Sequence, residues 1–464
     1  MKIIDYNKLI IRILSLILLV VPSISCEDFV EIEPPITELV NTNVFLNDNT
    51  ATSATVAMYG SMMNRFGSFA NYNITAFAGQ SADELIDFDD SNQFYSNSLI
   101  AADNEVSNFW GDAYSYIYQA NAVIQGLTES SSLIPSTRDQ LLGEAIFFRA
   151  FCYFYLVNFF GDVPLITNTD FEINRVAFRT PFQDVYQTIL DDLLRAQNLL
   201  SEGFEFTEGE RIRPNKGAAT ALLARVHLYV QNWELAEEEA NKLIVNSGDY
   251  QLVNLDDVFL KNSMETIWQL YPSSSEFTSQ NTEEGARFIL DESSSPSLVL
   301  SEGLINSFEV GDNRQVSWVG NVVLNDETLN FPFKYKAGLG STTLTEYYTV
   351  FRLAEQYLIR AEARAMQGNI PGAQEDINQI RNRAGLPNTN ATDQPSILNA
   401  IEAERRIEFM VEFGHRWLDL KRNSSADEIL SSISEKDWQL TDLLYPIPEL
   451  ELANNPNLVQ NPGY

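Results

Sequence analysis

Basic residues are scarce in this chain of 464 residues. It has 30 lysines and arginines against 64 aspartates and glutamates, which gives a formal net charge of −34 at pH 7. A protein that binds nucleic acid needs a basic surface that displaces counterions from the phosphates. The charge balance therefore excludes nucleic acid as a partner, and it excludes attachment to anionic lipid headgroups through charged side chains.

Cysteine and histidine are almost absent, with two of each. Cys152 lies in an apolar helical segment, where it is expected to be a small core residue. His227 and His415 are far apart in the sequence, each within an apolar helical pattern, so a histidine-based zinc site is not expected. No nucleophile motif, glycine-rich phosphate loop or metal-ligand spacing stands out. The sequence therefore predicts a protein that is not an enzyme, needs no cofactor and offers no residues assigned to a metal site; whether a structural metal is bound stays open.

The N-terminus lacks a hydrophobic run long enough to span a membrane. Basic residues precede an apolar run over 13–21, which is well below the ~20 residues that cross a bilayer. This pattern is typical of a signal peptide over residues 1–25. Ser-Ile-Ser stands directly before Cys26, and small residues are what cleavage ahead of a lipid-modified cysteine requires. We expect Cys26 to carry the lipid and 26–45 to form a tether; an ordinary signal peptide with an incidental cysteine is the alternative.

Helical periodicity is what the chain has in abundance. With 45% hydrophobic and 11% aromatic residues, it can bury a large core. Apolar residues recur at helical spacing between helix start and stop signals. The predicted helices span 105–127, 138–160, 181–200, 215–230, 234–245, 351–367, 371–384, 395–413 and 415–422. We therefore expect a mainly α protein.

Two predicted helix pairs can be laid on each other, LLARVHLYVQNWELAEEEANKLI and LIRAEARAMQGNIPGAQEDINQI. Ala224 then falls on Ala361, Asn232 on Asn369, Ala236 on Ala373 and Leu243 on Ile380. Small residues stand where two helix axes must approach closely, which is typical of tetratricopeptide-type hairpins. Any helical hairpin contains some alanine, but here the turn and both flanking alanines match together, which favours real repeats.

Two segments depart from this helical pattern. Between 252 and 348, and again over 64–104, serine, threonine, glycine and asparagine accumulate beside short β-like runs. Long loop-rich excursions from a helical scaffold are usually functional. We therefore expect a helical scaffold over 46–251 with an excursion at 64–104, a loop-rich variable lobe over 252–348, and C-terminal helical repeats and tail over 349–464.

Several segments, in this order along the chain, carry a family resemblance. They are GEAIFFRAFCYFYLVNFFGDVPL (143–165), NKGAATALLARVHLYVQNW (215–233), RLAEQYLIRAEARAMQG (352–368), RAGLP (383–387), ERRIEFMVEFGHRWLDLKR (404–422) and YPIPELELANNPNLVQNPGY (445–464). Together they resemble the SusD/RagB family of starch-utilisation-type outer-membrane lipoproteins, over nearly the whole mature chain. No single motif is decisive, but the ordered set is very specific.

The resemblance implies a tetratricopeptide-type scaffold on the cell surface of Bacteroidetes bacteria. It implies a SusC-like TonB-dependent transporter as partner and oligosaccharides or polysaccharides as ligands. Cys26 matches the family's lipidated cysteine, and CEDFVEIEPP resembles the acidic segment that follows it. Ligand sites of the family lie in loops, and the region after "ADE" is where the family often places an aromatic platform.

Neutral sugars are bound by flat aromatic faces together with amide and carboxylate groups. The two excursions supply such residues, and we expect their aromatic rings to be exposed. The predicted ligand-binding residues are Tyr72, Asn73, Phe94, Tyr95 and Trp318, with Tyr271 and Phe277 as further aromatic candidates.

Other polar residues are expected to have structural roles rather than to bind ligand. The acidic segment ADELIDFDDSNQFY lacks the glycine and closing glutamate of a calcium loop, so we interpret it as a solvated loop. We expect helix-to-helix salt bridges and i,i+4 pairs from Arg149 and from the acidic face of Glu404, Glu408 and Glu412 beside Arg405 and Arg406. Gly161 suits the C-terminal cap of a helix.

The sequence thus predicts a surface lipoprotein that binds glycans and passes them to a transporter. Two rival functions stay open. The same architecture could capture peptides, as some relatives do, and a surface glycosidase would need two carboxylates held across one glycosidic bond.

Overall fold

Helices dominate the part of the chain that the computed structural model describes, which is residues 44–63, 67–88, 92–272 and 280–464. Cys26, the signal peptide and Phe277 lie outside these residues. The helices are α1 (Asp48–Met63), α2 (Asn73–Ser81), α3 (Gln93–Ser96), α4 (Asn104–Glu129), α5 (Pro135–Phe160), α6 (Phe171–Asn174), α7 (Phe182–Leu199), α8 (Lys216–Tyr229), α9 (Trp233–Ile244), α10 (Glu283–Phe288), α11 (Glu302–Ile305), α12 (Asn313–Trp318), α13 (Leu353–Met366), α14 (Ile370–Arg383), α15 (Gln394–Glu408), α16 (His415–Arg422), α17 (Ala426–Leu430) and α18 (Glu449–Asn454). The predicted mainly α fold is confirmed.

The strands are short and pair only in twos within the described residues. They are β1 (Leu85–Asp87), β2 (Val163–Pro164), β3 (Arg179–Thr180), β4 (Thr266–Leu270), β5 (Leu298–Leu300), β6 (Val319–Leu324), β7 (Glu327–Pro332) and β8 (Tyr348–Arg352). The antiparallel pairs are β1 with β5, β2 with β3, β4 with β8, and β6 with β7. Most of these residues belong to the two predicted loop-rich excursions, which are therefore partly β.

The core of the N-terminal scaffold is built around α5, which packs between α4 and α7. By length and composition α5 could cross a membrane, but its apolar stretch is entirely buried inside the fold. Arg149 on α5 donates two hydrogen bonds to Asp192 on α7, at 2.8 and 2.7 Å. This confirms the predicted helix-to-helix salt bridge. Gly161 ends α5 with φ +72°, and its N–H donates to Val157 O, as expected for a C-terminal cap.

The two repeated hairpins, α8 with α9 and α13 with α14, share one turn geometry. Asn232 has φ −84° and ψ 72°, and Asn369 has φ −84° and ψ 70°. The residue before each asparagine has positive φ, +59° at Gln231 and +80° at Gly368. Ala224, Ala236 and Ile359 pack in one cluster that joins the first hairpin to α13. The predicted tetratricopeptide-type pairing is therefore confirmed.

One predicted helix is wrong at its C-terminal end. Helical periodicity indicated 395–413, but α15 stops at Glu408, and Val411 and Phe413 have φ of +50° and +40°. Their backbone N–H groups donate to Glu84 Oε1 at 3.0 Å and to Thr75 Oγ1 at 3.1 Å. Partners far away in the sequence thus replace the hydrogen bonds that a continuing helix would make.

The acidic face of α15 is buried rather than paired along the helix. The Glu404 carboxylate forms ion pairs with Arg314 and Arg381, and Glu408 pairs with Arg314, Arg352 and Arg383. The expected salt bridges between elements are confirmed. The expected i,i+4 pairs with Arg405 and Arg406 are wrong, because these arginines pair with Asp419 and Asp83 instead.

Candidate ligand-binding cleft

Pairing of β1 with β5 brings the two loop-rich excursions together. Leu85 lies opposite Leu300, and Asp87 opposite Leu298. Beside this pair lies a cleft of about 540 Å³, a size typical of small-molecule sites. It is lined by Gly67, Tyr72, Asn73, Ala76, Phe77, Gln80, Asp87, Asn92, Gln93, Phe94, Asp103, Glu105, Arg287, Ser297 and Leu298. Residues from both excursions therefore form one concave surface.

Tyr72 and Asn73 lie at one wall of the cleft, where α2 begins. Tyr72 has φ +90°, a backbone conformation that costs free energy for a residue other than glycine. Its N–H donates to the Tyr348 hydroxyl at 3.2 Å, and its ring contacts Phe288 with centroids 5.3 Å apart. Burial raises the pKa of Tyr72 to about 12, so its hydroxyl stays protonated at neutral pH. Asn73 Nδ2 donates to Gly67 O at 2.5 Å.

Arg287 and Glu283 on α10 brace this wall. The Arg287 guanidinium carbon lies 4.3 Å from the centroid of the Tyr72 ring, and Arg287 Nε donates to Glu283 at 2.7 Å. Glu283 also accepts from Gly67 N–H at 2.8 Å and from Asn71 Nδ2 at 2.7 Å. One carboxylate from the second excursion therefore fixes the loop of the first.

The aromatic base of the cleft is a stacked pair. The rings of Phe94 and Phe77 are parallel within 6°, with centroids 4.0 Å apart. Only 3% of Phe94 and 6% of Phe77 are exposed. Phe94 therefore lines the cleft, but the expectation that its ring is a free stacking platform is wrong.

Two glutamines of the cleft carry amide oxygens without a hydrogen-bond partner. Gln80 Oε1 and Gln93 Oε1 are both buried and accept no hydrogen bond from the residues that the structure describes. A buried carbonyl without a donor is unfavourable by about 1–3 kcal/mol. A ligand hydroxyl would satisfy such an oxygen. Sequence reasoning missed these residues, because nothing in the sequence separates them from solvated glutamines.

Three predicted aromatic residues do not line this cleft. Trp318 is completely buried, and its Nε1 donates to Leu255 O at 3.1 Å. Tyr95 is 8% exposed, and its ring faces the Lys436 ammonium, 5.0 Å from the centroid. The expected exposure of these two rings is wrong. Tyr271 is 49% exposed and packs on Tyr347, with centroids 5.3 Å apart.

The acidic segment beside the cleft is also more buried than expected. Asp83 is salt-bridged to Arg406 and Arg416, each at 2.7 Å, and Glu84 is 1% exposed. The interpretation of this stretch as a solvated loop is therefore wrong for these two carboxyl groups. Asp89 and Asp90 lie outside the described residues. Within the described ranges, no group of three histidine, cysteine, aspartate or glutamate side chains is placed to hold a metal ion.

Glu84 leads to a testable pH dependence. Burial raises its pKa from 4.5 to about 8, although Glu84 accepts the Val411 N–H. Between pH 4.5 and about 8, folding is therefore accompanied by the uptake of a proton by Glu84. This group makes the free energy of unfolding fall as the pH rises through that range. We expect Glu84→Gln to remove up to about 1.4 kcal/mol per pH unit of that decline. Urea unfolding of both proteins at several pH values measures the slope, and identical slopes would contradict the assignment.

Two family models match the chain. One, described as "SusD family", matches residues 302–464, and the other, described as "Starch-binding associating with outer membrane", matches residues 28–228. Together they cover α8 of the first repeated hairpin, except its last residue, and both helices of the second, and they leave residues 229–301 unmatched.

Similar proteins agree with these matches. A SusD-like protein, P25, of Formosa agariphila is 25% identical over 98% of this chain and 99% of its own length. The crystal structure of a SusD superfamily protein from Bacteroides vulgatus has a TM-score of 0.80 at 20% identity, over 90% of this chain and 99% of that one. A laminarin-binding SusD-like protein has a TM-score of 0.75 at 24% identity, over 90% of this chain and 100% of that one.

Proposed function

Because the chain belongs to the SusD/RagB family, we propose that it is a cell-surface glycan-binding lipoprotein without catalytic activity. In this proposal it captures oligosaccharides in the cleft between its two excursions and passes them to a SusC-like TonB-dependent transporter in the outer membrane. The starch-binding description of one matching family and the laminarin-binding structural relative support a glycan as ligand.

One observation supports a neutral glycan as the class of ligand. The cleft is lined by Gln80 and Gln93, whose buried Oε1 atoms have no donor among the described residues, and by the stacked pair Phe77 and Phe94. Sugar hydroxyls donate hydrogen bonds and the C–H faces of the ring are apolar, so a neutral oligosaccharide matches both features. Tyr72 and Asn73 lie on the wall of the same cleft and stay proposed ligand contacts.

The amide oxygens provide the first test. We expect Gln80→Leu and Gln93→Leu each to weaken oligosaccharide binding by about three- to ten-fold, the equivalent of one hydrogen bond. Stability should be unchanged or higher, because each substitution removes an unpaired buried oxygen. Isothermal titration with laminarin and starch oligosaccharides measures affinity, and thermal unfolding measures stability. Gln187→Leu is the matched control, since Gln187 bonds Asp191 on the outer face of α7.

Titrations with glycans and with peptides, together with a check for sugar release, separate the rival functions. Unchanged affinity in both glutamine variants would contradict the assignment of the cleft. Saturable binding of peptides but of no glycan would favour the peptide function. Release of shorter sugars by the purified protein would contradict the proposal that it is not an enzyme.

Lipid attachment is proposed for Cys26. Its support is the sequence around the cysteine together with the family description, which refers to association with the outer membrane. Growth with a clickable fatty acid should label the protein, and mass spectrometry should place the acyl chains on an N-terminal Cys26. Cys26→Ser is the control that should stay unlabelled. Label retained by this variant would exclude Cys26 as the attachment site.

A further inference from the structure

A second cavity lies away from the proposed glycan cleft, between α5, α7, α16 and the C-terminal tail. Its volume is about 600 Å³. Its lining includes Asn158, Phe182, Tyr229, Lys421, Leu440 and Leu444. Most of this surface is aliphatic or aromatic. Leu440 is 62% and Phe182 36% exposed, so apolar side chains also face solvent at this cavity.

Two polar groups in the cavity are incompletely bonded. The Lys421 ammonium donates to Asn158 O and lies 5.3 Å from the centroid of the Trp417 ring. No carboxylate of the described residues pairs with it, which leaves two of its N–H groups without a protein acceptor. The Tyr229 hydroxyl is buried and has no hydrogen-bond partner among the described residues. Both groups can donate hydrogen bonds.

The neighbouring carboxylates do not neutralise Lys421. Glu362 and Asp419 are both paired with Arg422, and Asp419 also pairs with Arg405. Burial lowers the pKa of Lys421 to about 7, as expected for an ammonium in apolar surroundings without a counterion. A contact with the C-terminal turn of α5 accounts for one donor of Lys421. The other donors and the Tyr229 hydroxyl point to an anionic ligand.

We propose that this cavity is a binding site for a small monocarboxylate with an apolar body. The carboxylate would accept hydrogen bonds from Lys421 and Tyr229, and the aliphatic or aromatic body would pack against Phe182, Leu440 and Leu444. Carboxylate–ammonium hydrogen bonds are roughly twice as strong as neutral ones, and apolar burial supplies the remaining affinity. The site is independent of the glycan cleft and does not rest on the proposed glycan-binding function.

Octanoate and octan-1-ol form a matched pair of probes, because they differ only in the charged end. The purified mature protein should bind octanoate at least about ten-fold more tightly than octan-1-ol, measured by isothermal titration. Lys421→Met should abolish this preference while keeping a side chain of similar length. Tyr229→Phe should weaken octanoate by about three-fold or more and leave octan-1-ol unchanged. Lys216→Met, at a 40% exposed lysine away from the cavity, is the control.

Absence of saturable octanoate binding to the unaltered protein would overturn the proposal. If the Lys421→Met variant kept the full preference of the unaltered protein for octanoate over octan-1-ol, the proposal would also be overturned. If that variant fails to fold, the Tyr229→Phe variant replaces it as the test, and unchanged octanoate affinity there would exclude the proposed site. Oligosaccharide titration of each variant should match the unaltered protein, so failure here is distinguishable from failure of the glycan proposal.

Discussion

Replacement of Glu408 by glutamine is expected to lower the free energy of unfolding by about 3–5 kcal/mol. Glu408 is fully buried and pairs with three guanidinium groups, those of Arg314, Arg352 and Arg383. Glutamine has almost the same shape but carries no charge. The variant therefore leaves three buried cations short of one counterion, which is far less favourable than losing an exposed pair.

The effect should depend on pH. Burial alone would raise the pKa of Glu408, but Arg383, Arg352 and Arg314 lower it well below its ordinary value of 4.5. The stability that this carboxylate contributes is therefore fully present above the unfolded pKa and is lost as pH falls towards the folded one. Urea unfolding at pH 7 and pH 4 should show a smaller difference between the two proteins at the lower pH.

Glu172→Gln is the matched control for Glu408→Gln. Glu172 pairs with Arg175, and these side chains are 73% and 51% exposed. Exposed pairs contribute at most about 1 kcal/mol, so this substitution should barely change the unfolding curve. Similar losses in both variants would contradict the view that burial makes the Glu408 cluster important for stability.

Trp318→Ala is expected to destabilise the protein by about 3–5 kcal/mol without weakening glycan binding. The indole is completely buried, and its ring lies 4.8 Å from Lys334 Nζ and 5.7 Å from the Arg383 guanidinium carbon. Alanine would leave a cavity beside the buried charge cluster and remove the hydrogen bond to Leu255 O. Thermal and urea unfolding measure the loss, and oligosaccharide titration below the melting range measures binding.

Phe171→Ala is the control for Trp318→Ala, because Phe171 is 71% exposed and its removal should change stability little. A stable Trp318→Ala variant with weakened glycan binding would return Trp318 to the ligand site. Trp318 and Glu408 both contact Arg383 and Arg352, so their effects in a double variant should not add.

The helical scaffold could be predicted from the sequence because its determinants are local. The spacing of Ala224, Ala236, Ala361 and Ala373 depends only on 3.6-residue periodicity and on close approach within one hairpin. The turn asparagines are likewise a local signal, and both adopt the same backbone conformation. The end of α15 was not predictable in this way, since Glu84 and Thr75 from distant segments stop it.

The candidate cleft could be predicted only in part. Composition indicated that the two excursions would form it, and Tyr72, Asn73 and Phe94 do line one cleft. Their exposure could not be predicted, because it depends on β1 pairing with β5 across a long stretch of sequence. The burial of Trp318 was likewise not predictable, because its neighbours Leu255, Lys334 and Arg383 come from separate segments of the chain. Only the packed structure shows which glutamine oxygens are left without donors.

The net charge of the protein follows from its sequence, whereas the burial of individual charged groups depends on tertiary structure. The excess of acidic residues is a property of the sequence, and it is the basis of the expectation that nucleic acid is not a partner. Which carboxylates are buried is decided by tertiary structure, as Asp83 with Arg416 and Glu408 with Arg352 illustrate. A carboxylate is buried in its charged form only where cations or other donors compensate the charge, and folding brings the arginines around Glu408 from segments far away in the chain.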